Sequence, residues 1–226
     1  MKSLKYFTKG ELLLWTCSVS LIILSFLIFG GDCINLISSL IGVTSLIFAA
    51  KGNPLGPFLM VIFSLMYGII SFKFSYYGEM ITYVGMTGPM AVFSLIAWLK
   101  NPYNGKKSEV KINRIDKKEI IFMLFLTIIV TVIFYFILRY FNTANLFFST
   151  ISVTTSFAAV YLTFRRSSFF AAVYAMNDMI LIVLWGLASA EDIKYISVLI
   201  CFAVFFVNDI YGFVNWKRME KKQGTV

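Results

Sequence analysis

Eight long apolar runs decide what this chain can fold into. Each is about 18 residues or longer, which is enough to cross roughly 30 Å of hydrocarbon as a helix. Of the 226 residues, 59% are hydrophobic and 14% are charged. A water-soluble domain of this size needs a more polar surface. The sequence therefore predicts an all-α integral membrane protein that forms one domain over residues 1–226.

The runs are separated by short polar connectors and by one lysine-rich loop at 100–118. Turn residues mark several junctions, among them Gly31-Asp32 after the first run and Asn104-Gly105 in the loop. A basic tail closes the chain. The eight predicted spans are about Glu11–Gly30, Cys33–Ala50, Pro54–Phe72, Tyr76–Leu99, Glu119–Tyr140, Asn145–Phe164, Ser167–Ala188 and Ile193–Trp216.

The basic residues predict the orientation. If the N-terminus is cytoplasmic, seventeen of the twenty Lys and Arg residues fall on the cytoplasmic side, including Lys2 and Lys5. The exceptions are Lys73, Arg139 and Lys194. This bias follows the positive-inside rule and predicts both termini in the cytoplasm of a bacterial-type cell membrane. It also explains the net charge of +9 without a nucleic-acid partner.

Several chemistries are not indicated by the sequence. There is no histidine, and Cys17, Cys33 and Cys201 are too scattered for a metal site or a disulfide framework. No Gly-x-x-x-x-Gly-Lys-Ser/Thr loop is present, so ATP-driven transport is not indicated. We predict no catalytic residue, metal or cofactor. The alternatives from other classes are a membrane enzyme with Asp178 and Asp209 as a dyad, and a non-transporting sensor or scaffold.

An internal repeat is visible in the order of the spans. Residues 33–100 and 145–217 each hold three spans in the same orientation, because a single span at 119–141 separates them. The span at 11–30 is additional. This 3+1+3 parallel arrangement is a transporter architecture, with the solute site between the two units near mid-membrane.

Matching details accompany the repeat. Each unit has a basic connector after its first span, Lys51 in one and Arg165-Arg166 in the other. Each also has an acidic turn after its second span and a tryptophan at its end, Trp98 or Trp216.

The seventh span carries the strongest candidate site. A carboxylate in the middle of a span costs about 2.5–3.5 kcal/mol and is a functional candidate by default. At 100° per residue, one helix face presents a polar centre between aromatic rings. That face predicts a wall for a flat, polar solute. Its residues are Phe170, Tyr174, Asn177, Asp178, Leu181 and Trp185.

Two readings stay open for each polar residue of this face. The Asn177 amide can donate to and accept from a base edge or a sugar, or it can hydrogen-bond a neighbouring helix. The Asp178 carboxylate can accept from a sugar diol or balance a cationic ring. Alternatively, Asp178 is a neutral carboxyl group bonded to another helix.

Further candidates lie on three other spans. Asn208 and Asp209 of the eighth span can reach an inner vestibule, or Asp209 can pair with a headgroup-level cation. Ser64 and Tyr67 of the third span and Tyr83 and Thr87 of the fourth are candidate pocket walls or ordinary packing residues. Proline removes a helix hydrogen bond, so we read Gly85, Gly88 and Pro89 as either a hinge or a static kink.

Four segments carry a resemblance to a known family. They are Lys51-Gly52-Asn53-Pro54-Leu55-Gly56-Pro57, Tyr76-Tyr77-Gly78-Glu79-Met80-Ile81, Ala97-Trp98-Leu99-Lys100 and Gly212-Phe213-Val214-Asn215-Trp216. With these segments and Asn177, the chain resembles the Pnu family of vitamin and nucleoside transporters over most of residues 33–218. The best-known members of that family carry nicotinamide riboside.

The resemblance implies a SWEET-like fold and uniport by facilitated diffusion, with a cytoplasmic kinase trapping the imported nucleoside. It also implies a possible homotrimer. Asn177 matches the Asn of the family's Trp-x-x-Trp-x-x-x-Asn motif, while Phe170 and Val173 stand at the two Trp positions. Relatives are thought to carry thiamine, riboflavin or deoxynucleosides, which remain alternatives here. Proton-coupled transport through Asp178 and Asp209 is a further alternative.

Overall fold

The computed structural model describes residues 6–30, 32–73, 77–143 and 145–224, without the side chains of Lys73 and Lys194. Four residues used in the predictions lie outside this description: Lys2, Lys5, Gly31 and Tyr76.

The described chain is almost entirely helical. Eight of its segments are long and apolar enough to cross a membrane, which confirms the predicted fold class. The fourth of them consists of two helices, α4 and α5, joined by a π-helical turn over Tyr83–Thr87. The helices are α1 Lys9–Phe29, α2 Cys33–Ala50, α3 Leu55–Lys73, α4 Tyr77–Thr82, α5 Gly88–Lys100, α6 Lys117–Tyr140, α7 Leu146–Phe164, α8 Phe170–Glu191 and α9 Ile196–Gly224.

Most helix bounds lie within three residues of the predicted ones, and two of the departures have a clear structural cause. The predicted start of α8 at Ser167 is wrong, because Ser167 lies in a turn and its carbonyl accepts from Phe170 N at 3.2 Å. The predicted end of α9 at Trp216 is also wrong, since the helix continues through the basic tail to Gly224. A Lys217–Glu220 ion pair of 2.9 Å supports this extension.

The central loop contains a short hairpin. Strands β1 (Pro102–Tyr103) and β2 (Lys106–Val110) are antiparallel. Asn104 and Gly105 connect them with φ values of 48° and 73°. Positive φ at both central residues is what the tight turn of a two-residue hairpin requires. The Asn-Gly pair was therefore a correct turn signal, but the strands beside it were not predicted.

Both ends of the described chain meet at this hairpin. Tyr6 Oη donates to the Ser108 carbonyl at 3.2 Å. At the other end of the chain, Gln223 Nε2 donates to Glu109 Oε1 at 3.1 Å. We call this side of the bundle the terminal face and the other side the opposite face.

The helices pack in two groups, and the outer helices of one group contact those of the other. α2 packs on α3, and α3 packs on α5, while α8 packs on both α7 and α9. Between the groups, α2 contacts α9 and α5 contacts α7. The first helix of each predicted unit therefore lies against the third helix of the other, as two-fold related units would require. α1 packs on α2 and α9, and α6 packs on α7.

The additional helix α1 is anchored by a buried carboxylate. Glu11 is 2% exposed and accepts from Lys51 Nζ at 2.8 and 3.0 Å. It also accepts from Tyr211 Oη at 2.8 Å and from Thr8 N at 2.6 Å. One acidic side chain thus joins α1 to the α2–α3 connector and to α9.

We expect Glu11→Ala to lower the free energy of unfolding by about 3 kcal/mol, because Lys51 would be left largely buried without its partner. Thermal unfolding of the detergent-solubilised protein measures this loss. Glu191→Ala is the matched control, since Glu191 is exposed at the end of α8. Equal melting temperatures for the two variants would contradict the anchoring role.

Candidate functional site

Helix α8 presents its polar face to the interior of the bundle. Asn177 is 5% exposed and Asp178 is 4% exposed. The other side of the same helix is the lipid-facing side, where Met176 and Met179 are more than half exposed. Neither polar residue therefore contacts lipid. The rest of the predicted face is buried or half-buried: Phe170, Tyr174, Leu181 and Trp185.

Three hydroxyl groups of α7 hold the amide of Asn177. Thr155 Oγ1 donates to Asn177 Oδ1 at 2.8 Å, Ser156 Oγ at 3.1 Å and Ser152 Oγ at 3.3 Å. The amide nitrogen Nδ2 has no hydrogen-bond partner among the described residues. Asn177 thus bonds a neighbouring helix through its oxygen and keeps a donor for a further ligand.

Asp178 forms a carboxyl pair with Asp209 of α9. The two side chains are hydrogen-bonded to each other, and each is 4% exposed. A hydrogen bond between two carboxyl groups requires a proton on one of them. The second oxygen of Asp178, Oδ2, is buried and has no partner. An open acceptor is therefore present at the centre of the bundle.

A small central cavity of about 40 Å³ brings most of the candidate residues together. Its polar wall comes from α7, α8 and α9, and its aromatic wall from α3, α9 and the π-helical turn. This volume is well below the roughly 300–1,000 Å³ of small-molecule sites. It is lined by Leu46, Met60, Phe63, Tyr83, Thr87, Ser156, Val160, Tyr174, Asn177, Asp178, Leu181, Phe202, Phe205 and Asp209.

A much larger cavity of about 450 Å³ lies on the side of the opposite face, and we call it the vestibule. Its volume is within the range of small-molecule sites, about 300–1,000 Å³. Its lining includes two carboxylates, Asp32 and Glu79, and the aromatic rings of Tyr67 and Trp185. Asp32 precedes α2 and is exposed, so the vestibule reaches the opposite face.

Three phenylalanines separate the vestibule from the central cavity. Phe63, Phe202 and Phe205 line both spaces. Their rings contact one another, with centroids 6.1 Å apart for Phe63 and Phe205 and 5.8 Å apart for Phe202 and Phe205. A solute in the vestibule reaches the carboxyl pair only if these rings move.

An aromatic cluster closes the other side. Trp98 of α5 is 1% exposed and Trp216 of α9 is fully buried. Their ring centroids are 5.4 Å apart, and Phe170 packs on Trp216 at 4.8 Å. Between this cluster and the central cavity only a space of about 30 Å³ remains. The described structure is thus open to the opposite face and closed to the terminal face.

The closure is made of two equivalent contacts. Trp98 Nε1 donates to the Thr163 carbonyl at the end of α7, at 2.9 Å. Trp216 Nε1 donates to the Ala49 carbonyl at the end of α2, at 2.8 Å. The third helix of each group is thus bonded to the end of the other group's first helix.

The connectors that follow α2 and α7 have the same conformation. Gly52 and Arg166 both have positive φ, at 66° and 58°. Gly52 N donates to Ala49 O at 2.9 Å, as Arg166 N donates to Thr163 O at 3.0 Å. The central loop caps both connectors: Val110 N donates to the Gly52 carbonyl at 2.9 Å and Asn113 N to that of Arg166 at 3.0 Å.

Some predicted site residues lie away from the central cavity. Asn208 is 1% exposed, and its Nδ2 donates to Ser18 Oγ of α1 at 2.9 Å. It faces the additional helix because it is next to Asp209 on α9 and points about 100° away from it. Ser64 is fully buried, with its hydroxyl donated to the Met60 carbonyl at 2.8 Å. Phe170 belongs to the aromatic cluster.

The predicted kink is a π-helical turn that ends directly before Gly88. The Gly88 N–H donates to the Tyr83 carbonyl, five residues back, and Pro89 follows at the start of α5. Proline has no N–H to donate and its ring crowds the preceding turn, so the helix is widened here. A hinge role for Gly85, Gly88 and Pro89 stays a prediction.

Comparison with known proteins identifies the family. The family described as "Nicotinamide mononucleotide transporter" matches residues 32–218. The chain belongs to this family. It is therefore a multi-pass membrane transporter and not an enzyme, and the predicted Pnu-family resemblance is confirmed.

Two relatives show how far the likeness extends. The curated "Nicotinamide riboside transporter PnuC" of Neisseria mucosa is 21% identical over 190 residues, which cover 82% of this chain and 72% of that protein. The solved "Crystal structure of the Vitamin B3 transporter PnuC" has the same fold, with a TM-score of 0.83 and 19% identity. The matched region covers 96% of this transporter and 94% of the solved chain.

Sequence reasoning missed most of the residues that line the vestibule, although Tyr67 and Trp185 had been singled out. Glu79 was seen only as part of an acidic turn, although it is a carboxylate at the edge of an apolar run. The hydroxyls that hold Asn177 form a recognisable signal, since Ser152, Thr155 and Ser156 share one face of α7 at helical spacing. The three phenylalanines carry no signal, because phenylalanine is common throughout the spans.

If the indole hydrogen bonds close the terminal face, removing one of them should let reagents enter the bundle from that face. In a chain with Cys17, Cys33 and Cys201 replaced, a Ser94→Cys thiol beside the aromatic cluster reports access from the terminal face. We expect Trp216→Phe to raise its labelling rate about fivefold, the effect of losing one hydrogen bond of about 1 kcal/mol.

Trp15→Phe is the matched control for this experiment. Trp15 Nε1 also makes an indole hydrogen bond, to Thr44 Oγ1 at 3.2 Å, but between α1 and α2. An increase in labelling of the same size in the control, or none in Trp216→Phe, would show that the indole contacts do not close this face.

Proposed function

We propose that this transporter carries a nucleoside-like solute into the cell by facilitated diffusion, with nicotinamide riboside or a related nucleoside as that solute. The observation that carries this proposal is a solute-sized vestibule, open on one side, that ends above a buried polar wall. The names of the relatives support the choice of nicotinamide riboside.

In the proposed site, the polar wall recognises the ribose or the amide and the aromatic wall stacks on the ring. Asn177 Nδ2 and Asp178 Oδ2 are the free donor and acceptor of the polar wall, with Asp209 beside them. Tyr67 and Tyr83 are in contact on the aromatic side, with centroids 4.4 Å apart. Flat rings bind such faces whether or not they are charged. Tyr174 and Thr87 complete the proposed set on the central cavity. Phe170 closes its terminal side as part of the aromatic cluster, and Ser64 lies outside it.

In this proposal the transporter opens its site to one face of the membrane at a time, and transport switches the face to which the site is open. The two three-helix units, residues 33–100 and 145–217, move about the linking span at 119–141. The matched connectors and indole contacts support such a parallel 3+1+3 repeat, in which both contacts open together. Pro89 with Gly85 and Gly88 supplies the bend in the first unit. The helix at 11–30 stays with α2 and α9 through Glu11.

Direction comes from outside the transporter. The bias of basic residues supports a cytoplasmic terminal face in a bacterial-type cell membrane. The solute then enters from the opposite face, and a cytoplasmic nucleoside kinase traps it as a phosphate. A homotrimer is proposed from the family resemblance alone.

A second candidate function is proton-coupled transport of the same solute, and the hydrogen-bonded carboxyl pair favours it. A proton held between Asp178 and Asp209 could leave with the solute. Thiamine or riboflavin remain alternative solutes for either mechanism.

We expect Asn177→Ala to abolish uptake while leaving the amount of protein in the membrane unchanged, because the variant loses the only amide of the polar wall that the structure describes. Uptake of labelled nicotinamide riboside into proteoliposomes measures this. Asn208→Ala loses only the contact with Ser18, so it should melt at a lower temperature yet transport normally per folded molecule. Full uptake by Asn177→Ala would count heavily against the proposed site.

A jump in external pH distinguishes uniport from proton-coupled transport. In de-energised vesicles, uniport predicts the same solute level inside and outside at every external pH. Accumulation above equilibrium after acidification outside would instead establish proton coupling.

A further inference from the structure

We infer that the Asp178–Asp209 pair selects solutes by charge, so that the site takes a solute with a cationic ring and discriminates against its neutral counterpart. This inference rests on the proposed transport function and specifies its substrate class. Three features carry it: the missing counter-charge, the open acceptor and the charge along the entry route.

The pair has no cationic partner among the residues that the structure describes. No lysine or arginine side chain that the structure describes lines the central cavity, the vestibule or the 30 Å³ space beside the aromatic cluster. Ion pairs such as Lys51–Glu11 and Arg165–Glu119 lie near the terminal face, away from this pair. A carboxylate in this apolar environment therefore lacks compensation unless a ligand supplies it.

The pair can carry one negative charge but not two. Two carboxyl groups in direct contact do not ionise together, because the like charges repel strongly at that distance. Their mutual hydrogen bond uses the single proton that remains. Asp178 Oδ2 has no partner among the described residues, and Asp178 lines the central cavity. A ligand in that cavity therefore lies beside the remaining negative charge.

The residues along the entry route carry the same negative charge as the pair. Among the side chains that the structure describes, the four acidic or basic ones that line the vestibule and the central cavity are all acidic: Asp32 and Glu79 in the vestibule, then Asp178 and Asp209 beyond the three phenylalanines. Acidic walls around a low-dielectric cleft raise the local concentration of cations and repel anions. Aromatic rings at the phenylalanine partition also favour a cation through their π-faces. A positively charged ring is thus attracted at each stage.

The neighbouring position in the other unit shows that the charge is confined to one wall. The matched connectors make Thr163 equivalent to Ala49. Counting forward from them makes Ser64 equivalent to Asp178 and Phe63 equivalent to Asn177. The first unit therefore presents the ring of Phe63 to the central cavity where the second presents Asn177. Its equivalent of Asp178 is uncharged, because Ser64 donates its hydroxyl to the Met60 carbonyl and does not line the cavity. One wall can stack the ring while the other balances its charge.

The sharpest test compares two solutes that differ almost only in ring charge. Oxidised nicotinamide riboside carries a pyridinium cation, and its 1,4-dihydro form is neutral with the same substituents. In proteoliposomes held at zero membrane potential, we expect the native protein to prefer the cation by about 100-fold in half-saturating concentration, the effect of one charge at an effective dielectric constant near 20.

Carboxamide variants locate the charge. Asp178→Asn with Asp209→Asn should reduce the cation preference to less than about threefold, because both carboxyl groups are gone. Either single variant keeps one carboxyl group for the charge, so it should retain a preference of at least tenfold. Glu191→Gln removes an acid outside the route and should match the native protein. Binding-induced thermal shifts of the purified variants provide the same ratios if a variant transports slowly.

The outcomes separate this inference from the proposed function. If neither riboside crosses or binds to the native protein, the proposed function fails. If both cross with equal half-saturating concentrations, or if the double variant keeps the native preference, the function stands and charge selection by the pair is wrong.

Discussion

The structure depends on how a few buried polar groups are satisfied in an apolar bundle. Asp178 and Asp209 satisfy each other, and three hydroxyls of α7 hold Asn177. Each of these contacts joins two different helices, so the polar centre fixes how α7, α8 and α9 are rotated. The same centre leaves a donor and an acceptor unused. In lipid, such groups are retained at a cost that a binding function explains.

The two sides of this centre are built differently. Towards the opposite face, the phenylalanine partition is held by ring packing alone. Towards the terminal face, Trp98 and Trp216 each bond a carbonyl of the other helix group. The side that is closed in this structure is therefore the one with directed hydrogen bonds between the helix groups, and the vestibule lies on the side without them. The near-identical connectors at Gly52 and Arg166 suggest that opening the terminal face involves both units equally.

Much of this arrangement could be predicted from the sequence. Run length alone gave the eight spans, and helical periodicity placed Asn177 and Asp178 on the buried side of α8. The pairing of Asp178 with Asp209 was harder, because it depends on the angle between α8 and α9. Asn208 shows the limit of the method: it has the same Asn-Asp sequence context as Asn177, but the additional helix α1 covers it. The vestibule was missed because its walls combine residues of six helices, and many of these are aromatic residues that are common throughout the spans.

The central claim is that a solute passes from the vestibule to the polar wall of α8 and α9. A structure of the transporter with nicotinamide riboside bound, determined by crystallography or electron cryomicroscopy, tests it most directly. The account predicts the ring beside Phe63 and Tyr83, with the phenylalanine partition displaced and a polar atom of the solute hydrogen-bonded to Asn177 or Asp178. A bound solute that leaves this wall untouched, with the partition closed above an empty central cavity, would contradict it.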